Sequence, residues 1–320
     1  MSTSKHPIVR LRPLLILAFN VLAVSVTWLV STQGFAQHTS PVIKINEAAA
    51  KADITVQGLR GDVSVLFGSG GNITVLTGPR GKLLVDAGIA VSRSKIQAAL
   101  DGISQAPIKY LVNTHYHWDH TDGNEWVHDL GATIVAHENT LKHLSVATRV
   151  EDWDYTFPAA PPGARPTVLL RTDKTLNFDG ETIVLKSYGS GHTDGDVSVY
   201  FTKSDVLALG DIFWNGIYPF IDNANGGGID GVIRWVNVSL DRATNKTIII
   251  PGHGPVGNRT QLIEYRDMLV AIRENVARLK KQGKSLDEVI AARPTAAFDS
   301  KWGGFVIGPA FFIKLGYAGL

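Results

Sequence analysis

Apolar positions along this chain follow two periods. Short strand-like runs come first: Ile54-Thr55-Val56, Val63-Ser64-Val65-Leu66-Phe67, Ile73-Thr74-Val75-Leu76 and Leu83-Leu84-Val85. Gly68-Ser69-Gly70-Gly71-Asn72 and Pro79-Arg80-Gly81 punctuate them, which predicts a meander. From Ser92 to Ile103 the spacing turns helical. Ile108 to Val112 and Thr133 to Ala136 read as strands, and Asn139 to Val146 as a short helix. Residues 157–166 are Pro-rich and read as a loop. The order then repeats. Strands are predicted at Val168–Leu170, Thr182–Leu185, Val197–Phe201, Val206–Leu209 and Thr247–Ile250, with a helix over Ile229–Leu240. The longest helix spans Gln261 to Lys281, with Leu262, Tyr265, Leu269, Ile272, Val276 and Leu279 along one stripe. Strands ahead of helices, twice over, predict an α+β protein of two mixed sheets packed face to face with helices outside.

One apolar run falls outside this pattern. Leu14 to Val30 follows Lys5, Arg10 and Arg12 and precedes Gly34-Phe35-Ala36. A basic segment, an apolar segment and a small-residue site predict a signal peptide over 1–36, cut near Ala36–Gln37, and one domain over 37–320. The protein is then periplasmic or secreted, without stable membrane association after cleavage. The 17-residue run is short for a spanning helix, which makes an uncleaved anchor the second reading.

Removing that segment changes the charge. The whole chain is formally +2, but residues 1–36 hold three basic and no acidic side chains, so the remainder carries 28 Lys and Arg against 29 Asp and Glu. No basic footprint is left for a nucleic-acid partner. There is no cysteine, so disulfides, thiolate ligands and cysteine nucleophiles are excluded.

The candidate chemistry sits at strand ends. Thr114-His115-Tyr116-His117-Trp118-Asp119-His120 places three imidazoles and a carboxylate within six residues, directly after Tyr110-Leu111-Val112. Such a density of imidazole and carboxylate ligands suits zinc and related first-row metals. His115 and His117 share one side of an extended segment, and Asp119 and His120 follow as the chain turns. Other apolar strands lead to glycine-flanked His192, Asp211 and His253.

The ordered set His115-x-His117-x-Asp119-His120, His192, Asp211 and His253 resembles the metallo-β-lactamase superfamily over roughly residues 50–257. The resemblance implies a four-layer αββα sandwich with a dinuclear site at one edge of the sheets. It implies His115, His117 and His192 on a first metal, Asp119, His120 and His253 on a second, and Asp211 bridging them. It also implies two Zn2+ per chain. Asp211 stands where the thiolate lactamases of the superfamily have Cys, and so resembles the glyoxalase II, lactonase and phosphodiesterase branches. The expected activity is zinc-dependent hydrolysis of a small cyclic amide, lactone or ester, with a metal-bound hydroxide as nucleophile. Asp119 has a second, catalytic role: orienting that hydroxide and passing a proton to the leaving group. The alternatives are a mononuclear iron oxidoreductase of persulfide-dioxygenase type and a thioesterase of glyoxalase II type.

Around this site the reading is thinner. Asp86 ends Leu83-Leu84-Val85 and is expected to brace the metal loop from behind. Trp118, Trp214 and Tyr218 are expected in the substrate pocket, with Trp153, Tyr155 and Phe157 adding to an apolar wall. The Gly68–Asn72 turn reads either as a mobile flap over the substrate or as a plain turn. His128, His137 and His143 read as structural. The tail, about 293–320, carries Phe298, Trp302, Phe305, Phe311, Phe312 and Tyr317. It is expected either to pack on the domain or to cover a homodimer face.

Overall fold

The computed structural model of the chain describes residues 1–2 and 40–320. The leader reading therefore falls, apart from Met1 and Ser2, outside the described residues. Among the described residues no helix is long and apolar enough to cross a membrane.

The chain begins with α1 (Pro41–Lys51), then runs through β1 (Thr55–Gly58), β2 (Val63–Phe67), β3 (Ile73–Gly78), β4 (Gly81–Val85), α2 (Arg93–Ile103) and β5 (Ile108–Val112). Two short helices, α3 (Trp118–Thr121) and α4 (Asn124–Asp129), precede β6 (Thr133–His137) and α5 (Glu138–Leu144). A hairpin follows, β7 (Thr148–Val150) and β8 (Tyr155–Phe157), and then β9 (Val168–Leu170). The second half holds β10 (Asp173–Phe178), β11 (Glu181–Lys186), β12 (Ser198–Phe201), β13 (Val206–Ala208), α6 (Ile229–Arg242), β14 (Ile248–Ile250) and β15 (Gly257–Asn258). It ends with α7 (Arg259–Lys281), α8 (Leu286–Ala291), α9 (Asp299–Trp302) and α10 (Pro309–Ala318).

Two mixed sheets result. One has the order β1-β2-β3-β4-β5-β6-β9 and the other β10-β11-β12-β13-β14-β15. In the first, β1 to β4 are antiparallel and β4, β5, β6 and β9 parallel. In the second, only β13 and β14 pair in parallel. Period-two alternation sends one face of each sheet inward. Val65, Leu83, Val85 and Val112 meet Ile183, Leu185, Val199 and Phe201 in a single apolar layer. Leu84, Leu111 and Ile134 face outward onto Ile96 and Leu100 of α2 and Trp126 of α4. Leu207 and Ile249 face outward onto α6, α7 and α10, where Trp235, Leu269 and Phe312 are buried. This is the expected four-layer αββα arrangement. Each buried Val, Leu or Phe contributes about 1.5–3 kcal/mol of transfer free energy.

Several elements were not legible in the apolar pattern. β10 reads Asp-Lys-Thr-Leu-Asn-Phe and is an edge strand with only Phe178 buried, so its signal is weak. The β7–β8 hairpin has strands of only three residues, too short to show a period of two. The tail packs on its own domain, with Trp302, Ile307, Phe312 and Ile313 inside the core formed by α6 and α7. Phe305 and Val306 remain exposed.

Candidate metal centre

Strand ends deliver the site. β5 stops at Val112, and the chain bends at Thr114 and His115 before His117 caps the one-turn helix α3. His115 and His117 thus come from a bent connection rather than from the extended segment expected, and Asp119 and His120 from the helical turn. His192 follows β11, Asp211 follows β13 and His253 follows β14. Crowding at these loops explains the glycines. A Cβ on Gly71 would lie 2.2 Å from the His120 ring, and one on Gly252 would lie 2.0 Å from Asp211 Oδ1.

All seven side chains converge, in two groups. His115, His117, His192 and Asp211 form one, and Asp119, His120 and His253 the other, with the donor atoms of each within 4.8 Å of one another. In the first, His117 Nδ1 lies 3.1 Å from His115 Nε2 and 2.9 Å from His192 Nε2. In the second, His253 Nε2 is 3.2 Å and His120 Nε2 3.7 Å from Asp119 Oδ2. Asp211 divides its oxygens between them. Oδ2 lies 3.4 Å from His192 Nε2 and 3.8 Å from His115 Nε2, whereas Oδ1 lies 3.0 Å from His120 Nε2 and 3.4 Å from His253 Nε2.

In the first group the outward ring nitrogens explain why the inward ones are bare. His192 Nδ1 donates to the Phe220 carbonyl at 2.8 Å, and His117 Nε2 to Asp222 Oδ2 at 3.0 Å. His120 Nδ1 donates to Asp86 Oδ2 at 2.8 Å. His115 Nδ1 donates to Thr114 Oγ1 at 3.0 Å, which in turn donates to Asp86 Oδ2 at 2.7 Å. A neutral imidazole that donates from one nitrogen offers a lone pair from the other. Three such lone pairs meet in the first group, and nothing there can serve as a donor to all of them. Asp211 Oδ1 is buried and has no well-angled hydrogen bond among the described residues. Imidazole and carboxylate donors set this way fit divalent first-row cations.

Electrostatics differ across the cluster. Burial holds His115 well below its ordinary pKa, and neighbouring His120 lowers it further. Burial also brings His192 down to about 4. Burial pulls His120 and His253 the same way, but the carboxylates prevail: Asp211, Asp119 and Asp86 hold His120 well above its ordinary value, and Asp211 with Asp119 raises His253 to about 9. Burial opposes ionisation of Asp211 and Asp119, yet the facing imidazoles keep both below the usual carboxylate range.

Asp86 stands where it was expected, its Oδ1 also accepting the Thr114 amide at 2.7 Å. It holds a left-handed φ of 63°, a strained conformation for a residue other than glycine. Asp222 was missed. It accepts from His117 and from the Tyr116 hydroxyl, and burial is outweighed by these bonds, which drive its pKa far down. Asp222 lies 105 residues from His117, in a stretch with no ligand-like spacing. His143, expected to be an isolated structural residue, stacks on Tyr116 at 4.5 Å and donates to Asp194 at 2.8 Å.

The expected pocket needs two corrections. Tyr218 does not face the site. It is fully buried, stacks on Phe312 at 4.6 Å and donates to Asp299 Oδ1 at 3.0 Å, so the tail core takes both its ring and its hydroxyl. Trp214 packs on the His253 ring at 4.1 Å and is not part of the wall of the cavity beside His117. Trp118 does line one, its Nε1 donating to Asn46 at 3.0 Å. The Gly68–Asn72 turn is not a flap. Asn72 Nδ2 donates to the carbonyls of Pro251 and Gly254, both at 2.9 Å, and the Gly71 amide to Asp119 O at 3.1 Å.

Comparison with known proteins agrees with this geometry. A linear primary-alkylsulfatase from Pseudomonas sp. (strain ATCC 19151) is 26% identical over 257 residues, which are 68% of this chain and 48% of that one. The chain thus spans about half the length of that relative. A metallo-beta-lactamase type 2 from Bacillus sp. (strain 170) is 26% identical over 200 residues, 62% of this chain and 72% of that one. Among solved structures, the stereoselective inverting sec-alkylsulfatase Pisa1 from Pseudomonas sp. superposes with a TM-score of 0.63 at 17% identity, covering 85% of this chain and 51% of that one. The description of the Metallo-beta-lactamase superfamily matches residues 66–274, well over half of the chain. With its αββα layers and its His/Asp cluster at the strand ends, the protein belongs to the metallo-β-lactamase superfamily.

Proposed function

We propose that the protein is a dinuclear zinc-dependent hydrolase acting on a small ester, lactone or cyclic amide. One observation carries the reading: seven side chains aim their donor atoms into two adjoining groups, with one oxygen of Asp211 directed at each. His115, His117, His192 and Asp211 would hold one ion, and Asp119, His120, His253 and Asp211 the other. When bound, such a pair supplies Lewis-acid polarisation of the scissile group and activation of a water molecule. The chain supplies the rest. Asp86, Thr114, Asp222 and the Phe220 carbonyl fix the imidazole orientations, so little reorganisation is left for the reaction. Asp119, kept ionised, orients the attacking water and carries its proton to the leaving group.

Metal analysis of the purified protein tests this. About two zinc per chain is expected; a single iron would favour the oxygenase alternative. A panel of nitrocefin, acyl-homoserine lactones, S-lactoylglutathione and bis-p-nitrophenyl phosphate then sorts the substrate class, and silence across it would reject the hydrolase reading. A second reading, hydrolysis of a sulfate ester, is favoured by the alignment with the primary-alkylsulfatase over 68% of this chain. p-Nitrophenyl sulfate and dodecyl sulfate belong in the panel for that reason. Export is part of the proposal. Amino-terminal sequencing of the protein from the periplasm or medium should find it starting near Gln37.

A further inference from the structure

A cavity of about 310 Å³ opens beside the cluster, and His117 is the one proposed ligand on its wall. That volume lies at the small end of ligand pockets, roughly 300–1,000 Å³. Its wall is a continuous aromatic assembly. Trp118 meets Trp153 edge-on at 5.2 Å and Phe157 at 5.1 Å, and Trp153 meets Phe220 at 4.9 Å. Neither lysine nor arginine lines the cavity, and its carboxylates, Asp122 and Glu125, are exposed on its rim.

We propose that this cavity binds an uncharged aromatic or alkyl tail of the substrate, presents the scissile group at His117, and rejects tails that end in an anion. The aromatic wall rewards burial of apolar surface. A carboxylate at the far end of the tail would instead leave water where no lysine or arginine lines the wall to pair with it, with Asp122 and Glu125 as like charges. The scissile-group half of this inference rests on the hydrolase reading; the tail half rests on the cavity alone.

The zinc-loaded protein tests both halves separately. The neutral fluorophore 1-aminoanthracene should brighten on binding and be displaced by octanamide. Ala159→Trp, an exposed rim position that a bulky side chain can occupy without disturbing the core, should weaken that binding at least about tenfold. Phe157→Ala should weaken it as well. In turnover, p-nitrophenyl octanoate should exceed p-nitrophenyl acetate in kcat/KM by about tenfold or more. It should exceed the mono-p-nitrophenyl ester of suberic acid, which ends in a carboxylate, by a similar factor. Glu125→Lys should narrow that second gap. Probe binding with every ester silent would reject the hydrolase reading and keep the cavity. Ester turnover without chain-length preference, together with wild-type probe binding in both cavity variants, would overturn the cavity. Equal turnover of the octanoate and suberate esters would overturn the exclusion of anions.

Discussion

The two donor groups are built from the same residue types yet stand in opposite electrostatic states. The first has three imidazoles to one shared carboxylate. Burial keeps His115 and His192 neutral, and their lone pairs are already turned inward. The second places His120 and His253 against Asp119 and Asp211, so both imidazoles hold protons that an incoming cation must displace. The first group is set for a metal in advance; the second is stabilised by ion pairing until the metal arrives. One local ratio, imidazoles to carboxylates, makes the difference.

The largest test of this contrast is removal of a ligand from each side. His117→Ala should abolish metal-dependent turnover, a loss beyond the roughly 10–100-fold typical of supporting residues. His253→Ala should leave one tightly held metal, counted by mass spectrometry under native conditions. Equal metal content in both variants would erase the distinction. Asp211→Ser comes next. It removes the one carboxylate both groups share, so both occupancies should fall; retained binuclear loading would make Asp211 dispensable.

Supporting residues separate the groups more gently. Asp222→Asn acts through His117 and should weaken only the first metal, by about 10–100-fold. Asp86→Asn should weaken both, because Asp86 reaches His120 directly and His115 through Thr114. The pH dependence gives a smaller, signed effect. A proton competes for His253 below about pH 9, whereas His192 is free of its proton above about pH 4. Zinc titrations at falling pH should therefore lose the second equivalent first. Simultaneous loss of both would contradict the assignment. The smallest effect belongs outside the centre. Tyr218→Phe should cost about 1–3 kcal/mol of stability, because Asp299 loses its hydroxyl donor, and should leave zinc content unchanged.

Legibility followed locality. His115, His117, Asp119 and His120 lie within one short segment, and His192, Asp211 and His253 each follow an apolar strand beside glycine, so all seven stood out in the chain. Asp222 did not, because its partnership with His117 exists only after the loop after β13 folds across the site. Tyr218 misled for the same reason in reverse. Its position seven residues past Asp211 suggested the pocket, but α9 and α10 fold back to claim its ring and hydroxyl. The glycines of the Gly68–Asn72 turn suggested motion; in the fold they grant close approach to His120 and Asp119.

The amino-acid order by itself determined which atoms can bind a cation, because ligand chemistry belongs to side chains, and the strand pattern behind them, because burial imposes a period of two. Only the tertiary structure decided how those atoms divide into a set around the burial-neutralised His115 and His192 and a charge-paired set around His120 and His253. That division depends on distances between loops far apart in the chain and on water being excluded from where they meet.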